Sequence, residues 1–380
     1  MIKFYADNLN KYSKLLLETT SKGHPIHESL ILDFNSKYVY ARNQNNKVLR
    51  LKFDYEVSDN KIPDTLYVNA EKFLVVCENS PVFDLTVEEN NDKENITRSL
   101  FINTGKEKIR LSFDYLGSDK DESNDFLNGL DNEIVFPLNE NIYSNFRSAL
   151  SYIDMTNPLS KHLQAVFIKD NYMVASNKNK FFNYFLEDAN IQDFTFSVDM
   201  IKTLLTYRKE GSFTIKYNEN CYLFILDNVV EIKYPKDTQL VFPFNVSSGE
   251  YLSKFKYDTY FSINNKELSN CINFLEFFVK DCPSTRLNMV ISEGKLKFKI
   301  IDGNYIEKEI DIKDSSKELE NYSFWFPHNY LKIVTRDIKD ENIIFRLEPK
   351  EAPDSPVVFI EGTENKNLNL VMCKLRDLNI

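Results

Sequence analysis

Glycine is scarce in this chain, at nine of 380 residues, about a third of ordinary usage. That shortage argues against phosphate-cradling backbone loops. The patterns G-x-x-x-x-G-K-[ST], G-x-G-x-x-G, G-x-S-x-G and H-E-x-x-H are all missing. Only four histidines occur, none in an evident nucleophile–base pairing. Five cysteines (Cys77, Cys221, Cys271, Cys282 and Cys373) show no C-x-x-C spacing. They suit small buried hydrophobes in a reducing cytoplasm, not a disulfide framework. No apolar run reaches the roughly 18–20 residues of a bilayer span, and the opening Met1-Ile-Lys-Phe-Tyr lacks a signal-peptide core. A cytoplasmic protein without membrane contact, cofactor or catalytic centre is expected.

Two metal-like patterns fail on inspection. His24-Pro-Ile-His27 with Glu28 has proline between its histidines, which suits a loop or strand end. Asp119, Asp121, Ser123 and Asp125 mimic the start of a calcium loop, but Asn124 replaces its glycine and Leu130 its closing glutamate.

What the chain has is aromatic bulk, with 30 Phe and 21 Tyr, and a repeat. A short helical run follows a strand end at Asn69 (Asn69-Ala-Glu-Lys-Phe-Leu-Val-Val-Cys77), at Ser197 and at Pro327, 128 and 130 residues apart. Each leads into an alternating segment: Phe83–Val87, Phe213–Tyr217 and Ile343–Leu347. A repeat of domain size points to a modular scaffold. Helical apolar spacing recurs in three further places, from Leu9 to Lys22, Glu140 to Asp154 and Asn264 to Lys280. Elsewhere alternation signals strands, with hairpin turns at Asn43–Asn46, Lys169–Asn171 and Ser292–Gly294. The expected class is α+β, with two helices and about eight strands in each of three domains, 1–133, 134–245 and 246–380.

The net charge is −10, yet its distribution matters more than its sum. The six helical segments carry thirteen basic residues: Lys11, Lys14, Lys22, Lys72, Arg147, Lys202, Arg208, Lys209, Lys266, Lys280, Lys332, Arg336 and Lys339. Nine acidic residues share those segments, so the helices sum to +4 and the remainder to −14. Such cations either solubilise exposed helix faces or hold phosphates without reading bases.

Taken together, the three repeats and several local stretches resemble the bacterial-type beta sliding clamp, the processivity factor of replicative DNA polymerase. The stretches are Phe146–Leu150 with His162–Phe167 and Met173–Ser176, then Leu287–Lys299, then Ser355–Phe359 with Leu370–Leu375. The resemblance implies a head-to-tail homodimer, a six-domain ring around sequence-independent double-stranded DNA, and helices lining the hole. It implies no catalysis, with opening left to a separate ATP-driven clamp loader. DNA polymerase and loader would dock by short peptides in a pocket at Leu163, Ser176, Lys178, Lys180, Phe181, Pro243, Val246, Ser355, Val371, Met372 and Lys374. Lys178-Asn-Lys-Phe181 stands where the family usually has a Gly-His-Arg-Leu-like stretch. The subunit interface would join Ile109 and Leu111 to Phe278 and Val279, four residues that equally suit an ordinary core. The different-class alternative is a clamp-like adaptor that binds only proteins, without closing around DNA.

Overall fold

The computed structural model describes residues 1–23, 25–58, 64–92, 95–113, 129–155, 163–187, 191–242, 248–279, 286–300, 306–316, 319, 321–348 and 357–375. One element order runs through it three times: strand, helix, strands, helix, three strands. The first pass is Ile2–Tyr5, helices α1 (Asp7–Lys11), α2 (Ser13–Thr19) and α3 (Pro25–Glu28), then Ser29–Asp33, Tyr38–Arg42, Val48–Lys52, Asp54–Val57 and Thr65–Asn69. It closes with α4 (Ala70–Asn79), Val82–Asp92, Asn95–Asn103 and Lys108–Phe113. The second is Asn132–Leu138, α5 (Glu140–Ala149) with a 3-10 turn at Leu150–Tyr152, then Ala165–Lys169, Tyr172–Ser176, Lys180–Phe185 and Phe194–Ser197. It ends with α6 (Val198–Tyr207), Gly211–Tyr217, Cys221–Ile225 and Val230–Pro235. A short α7 (Ser248–Ser253) precedes the third pass: Tyr260–Asn264, α8 (Asn265–Val279), Arg286–Ser292, Lys295–Ile300, Ile306–Ser315, Tyr322–Pro327, α9 (His328–Asp337), Asn342–Arg346, Val357–Gly362 and Leu368–Cys373.

Two of the three recurring runs, and also α5 and α8, begin where a polar side chain caps the new helix, whereas Pro327 before α9 supplies no side-chain cap. Asn69 Oδ1 accepts from Lys72 N (3.1 Å), Ser197 Oγ from Met200 N (3.3 Å), Asn139 Oδ1 from Ile142 N (2.8 Å) and Asn264 Oδ1 from Lys266 N (3.0 Å). The expected hairpins form with left-handed turn residues: Asp170 and Asn171, Glu293 and Gly294, and Asn46. Two helices went unforeseen. Pro25–Glu28 is one turn with proline at its first position, where its missing N–H costs nothing, and α7 lies in the connection to the third pass.

Contacts divide the chain into two compact units. The first is Met1–Tyr143 with Lys202–Thr238, and the second is Ser144–Ile201 with Gln239–Ile380. In the first unit a five-stranded antiparallel sheet ends on Lys108–Phe113. An eight-stranded sheet carries strands of the first and second passes, joined where Val230–Pro235 pairs with Val48–Lys52. Its core stacks Phe4 on Phe53 and Phe83 (ring centroids 5.1 and 5.2 Å), with Phe73 edge-on at 5.7 Å. Each such ring contributes about 2–3 kcal/mol on burial.

In the second unit a twelve-stranded sheet is joined across passes where Lys180–Phe185 pairs with Leu368–Cys373. Near its other end, Ile306–Ser315 pairs with Lys295–Ile300 along Ile306–Asp311 and then shifts to Tyr260–Asn264 from Ile312 to Ser315. The second side of Ile306–Asp311 has no strand partner among the described residues. The Val357–Gly362 strand ends against Asp340, whose Oδ2 accepts from Glu364 N (2.6 Å) and Asn365 N (2.7 Å). A Cβ on Gly362 would sit 2.2 Å from that oxygen, so any larger residue would have to push the Asp340 carboxylate off these bonds.

His328 opens α9 with 6% of its surface exposed. Its Nε2–H donates to Ile272 C=O on α8 (3.2 Å), since a carbonyl can only accept. Burial pushes its pKa below the usual 6.5, and nearby Lys332 adds to the effect. With the folded value depressed, the unfolded chain binds the proton more readily. Stability is therefore fully present above pH 6.5 and falls as pH drops through that value towards the folded one. Thermal melts from pH 7 to 5 should show a smaller decline for His328→Gln than for the native chain. Equal slopes would discount His328 as a contributor.

Candidate nucleic-acid and partner interfaces

The thirteen cations meet different fates. In the first unit Lys209 does not point freely to solvent. Its ammonium bonds to Asp227 (2.9 Å) and to the Tyr12 hydroxyl (2.5 Å), above the stacked rings of Tyr12 and Tyr207. Tyr12 also donates to Asp227, whose other oxygen takes Val229 N and Val230 N. Burial raises the Asp227 pKa, but the bonds from Tyr12 and Lys209 outweigh it and hold the carboxyl below 3.8. The same bonds hold the Lys209 ammonium above its ordinary 10.5 despite burial. Lys11 lies over the Tyr12 ring (5.0 Å), Arg208 pairs with Glu140 (3.2 Å) and Lys22 with Glu71 (3.6 Å). Lys14, Lys72 and Lys202 are exposed and have no ion pair among the described residues.

The second unit divides similarly. Lys332 pairs with Glu276 (2.6 Å), and Arg336 makes a two-pronged bond to Asp337 (2.7 and 2.9 Å). That carboxylate, on a side chain only 1% exposed, also accepts from Ser148 (2.9 Å) and Tyr152 (3.1 Å). Arg147, Lys266 and Lys339 are exposed and unpaired among the described residues, and Lys280 lies outside them.

Pleating separates the expected pocket residues into two faces. Phe181 sits opposite Val371 on one face, while Lys180 opposite Met372 belongs to the other. Lys180 donates to Ser151 C=O (2.6 Å) and lies over Tyr152 and Tyr330 (5.6 and 5.4 Å). Burial pushes its pKa down, with Arg336 adding to the effect. On the first face Ala165, Phe167, Val174, Phe181, Phe359 and Val371 form a buried cluster with Leu252 of α7. Tyr251 lies 5.2 Å from Phe181 and Phe242 5.6 Å from Phe167. Leu240, Phe242, Tyr251, Leu252 and Phe255 of the chain itself thus pack onto this face, leaving Phe181 and Val371 each 4% exposed. Leu163 and Ser176 are buried, Lys178 is exposed, and Lys374 reaches the Tyr322 hydroxyl (3.4 Å). Pro243, Val246 and Ser355 lie outside the described residues.

Of the expected subunit contacts, Ile109 and Leu111 are half-buried on the terminal strand of the five-stranded sheet. Val279 is buried in its own unit, whereas Phe278 is 50% exposed. Two neighbours went unnoticed in the sequence: Phe277 is 81% exposed and Phe274 44%. Their signal was legible, because positions 274, 277 and 278 fall off the buried stripe Leu268, Cys271, Ile272, Leu275 and Val279. Lys308, on the strand with the unpaired side, lies 5.5 Å over the Phe274 ring.

Among the described residues no group of three or more His, Cys, Asp or Glu could hold a metal, and no helix is long and apolar enough to cross a membrane. No protein-family model matches the sequence, and no curated protein matches it either. Solved structures do. A putative DNA polymerase III beta subunit from Eubacterium rectale is 16% identical with a TM-score of 0.73, over 99% of this chain and all of that one. The DNA polymerase sliding clamp from Bacillus subtilis is 12% identical with a TM-score of 0.73, over 99% and 98%. The DNA polymerase III subunit beta from Pseudomonas aeruginosa is 13% identical with a TM-score of 0.72, over 99% and 100%. Along essentially its whole length, this α+β chain has the fold of the beta sliding clamps.

Proposed function

We propose that this protein is a non-enzymatic DNA sliding clamp: two copies close head to tail around duplex DNA and tether a polymerase. The observation that carries the reading is the full-length clamp fold together with an element order that recurs three times. That recurrence supports three domains, 1–133, 134–245 and 246–380. Duplex DNA held through its backbone alone can slide, and exposed lysines and arginines without fixed acidic partners supply that grip. Lys14, Lys72, Arg147, Lys202, Lys266 and Lys339 fit the role best. Lys209 and Arg336 are committed to internal carboxylates and serve the fold first. Partner peptides from polymerase and loader would engage the second unit near Lys178, Phe181, Val371 and Lys374.

Internal symmetry supports closure by a second copy. The last strand of the second pass pairs with a strand of the first, and the last strand of the third pairs with a strand of the second. Of the three closing strands, Lys108–Phe113 of the first pass alone ends a sheet among the described residues, and there Ile306–Asp311 of the third pass keeps a side without a strand partner. Joining these two edges between copies would repeat the same join and shield both exposed strands.

The test is retention on closed circular versus linearised duplex after loading. Retention on circles and loss from linear ends supports encirclement, while equal release favours the protein-only adaptor. Alanine at the six unpaired cations should lower the slope of log affinity against log salt by up to about 5, near 0.9 per phosphate contact. Lys209→Ala should leave that slope unchanged. An unchanged slope in the six-site variant would remove these residues from the DNA surface.

A further inference from the structure

The second unit contains a cavity of about 290 Å³ that the clamp reading leaves unused, lined by Tyr172, Phe185, Leu252, Lys256, Lys366 and Asn369 among others. It lies further along the sheet face that carries Phe181 and Val371. Stepping two residues along each strand leads from Phe181–Val371 to Asn183–Asn369, and then to Phe185, whose N–H donates to Asn367 C=O (2.8 Å). Tyr172 and Phe185 form one aromatic wall, with ring centroids 5.1 Å apart, and Leu252 adds apolar surface.

The polar lining is incompletely satisfied. Asn369 is 6% exposed, and its Nδ2 donates to Lys366 C=O (3.2 Å), but its Oδ1 is buried without a donor. Asn183, its register partner, is fully buried with neither amide atom bonded. A buried acceptor left without a partner is unfavourable, and of the two amides only that of Asn369 lines the cavity, where a ligand N–H would relieve it. Lys256 and Lys366 have no carboxylate partner among the described residues. Among the described residues Lys366 Nζ donates only to Gly362 C=O (2.8 Å), and Lys256 lies 5.6 Å over the Phe359 ring. The acid beside Asn369, Glu361, is already held by Arg346 (2.8 Å), and Glu187 is bonded by Asn367 Nδ2 (2.6 Å). Aromatic walls, the Asn369 amide and two cations without a carboxylate partner among the described residues thus meet in one hollow.

We propose that this cavity binds the C-terminal aromatic residue of a partner polypeptide. The ring would lie against Tyr172, Phe185 and Leu252, the residue's N–H would donate to Asn369 Oδ1, and its carboxylate would face Lys256 and Lys366. One terminal residue carries all three features at the required closeness. The inference extends partner capture to a second place on the second unit and does not depend on DNA binding or ring closure.

Ligand-detected saturation-transfer NMR on the full chain tests it with N-acetylphenylalanine. Binding with a dissociation constant near millimolar is expected for so small a probe. Its carboxamide analogue, lacking the charge, should bind at least about fivefold more weakly. So should phenylacetate, lacking the N–H. Lys256→Ala with Lys366→Ala should weaken the acid about tenfold and leave the amide's binding unchanged. Both lysines are exposed, so the fold should survive, and thermal melting checks that. No transfer at 10 mM probe (a concentration about tenfold above the expected constant), or acid binding unchanged by the double substitution, would overturn the site. Equal binding of phenylacetate would overturn the peptide assignment. Failure here leaves the circular-DNA retention test untouched, so the two readings fall separately.

Discussion

Asp337→Ala should lower the free energy of unfolding by about 3 kcal/mol, read as a shift of the urea midpoint without loss of slope. Asp337 ends α9, where the helix dipole disfavours a negative charge. Its carboxylate persists there because Arg336, Tyr152 and Ser148 all bond to it. Removing it leaves the fully buried Tyr152 hydroxyl without an acceptor and Arg336 without its counter-ion. Breaking a buried pair from one side costs about 3–5 kcal/mol, and the lower figure applies because the Arg336 side chain is 49% exposed and can rehydrate. Asp337→Asn keeps one acceptor oxygen and should lose less. A shift under about 1 kcal/mol for the alanine variant would mean that water replaces the carboxylate, as at an exposed pair. The same contacts tie α5 and its 3-10 turn to α9 within the second unit. The loss should therefore also raise amide exchange in Leu150–Tyr152 ahead of global unfolding.

Local signals decided what could be read from the chain. Asn69 and Ser197 announce helix starts through their own side chains, and Asp170-Asn171 and Glu293-Gly294 announce tight turns through backbone preference. Long-range demands stayed hidden. The run from Leu9 to Lys22 looks like one helix, yet it breaks at Tyr12 (φ −115°, ψ 16°). The Tyr12 hydroxyl is bonded to Lys209 and Asp227, roughly two hundred residues away in sequence. The same partners take Lys209 out of the pool of free cations. Counting charge on helices cannot reveal this, because the neutralising acid comes from a strand-end turn, not from the helix itself.

The pocket residues show the same limit from the packing side. Resemblance supplies positions along Lys180–Phe185 and Leu368–Cys373, and the register pairs them. Alternation then sends Phe181 and Lys180 to opposite faces, a split that a list of positions cannot carry. That Leu240, Phe242, Tyr251 and Leu252 fold back over Phe181 and Val371 is a tertiary fact with only a weak sequence trace. Their apolar character was plain, but their target was not.

Phe277→Asp combined with Phe278→Asp should leave the protein monomeric at 44.7 kDa, where the native chain should scatter light with twice that mass. The exposed trio Phe274, Phe277 and Phe278 closes α8, and Lys308, on the strand that keeps an unpaired side, lies over the Phe274 ring. Exposed aromatics next to an unpaired strand mark a surface awaiting a partner. The edge strand Lys108–Phe113 presents half-buried Ile109 and Leu111, which the proposed closure would set against this surface in a second copy. Losing two rings from such a contact forfeits about 2 kcal/mol each, and placing two carboxylates there adds a desolvation cost. Dimer dissociation should therefore rise at least about a thousandfold. Both side chains are substantially exposed in the protomer, so its melting temperature should barely change, which separates lost association from lost folding. A native chain that stays at 44.7 kDa across micromolar concentrations would remove this closure altogether. A double variant that remains dimeric would move the interface away from α8, and with it the roles assigned to Phe278 and Ile109.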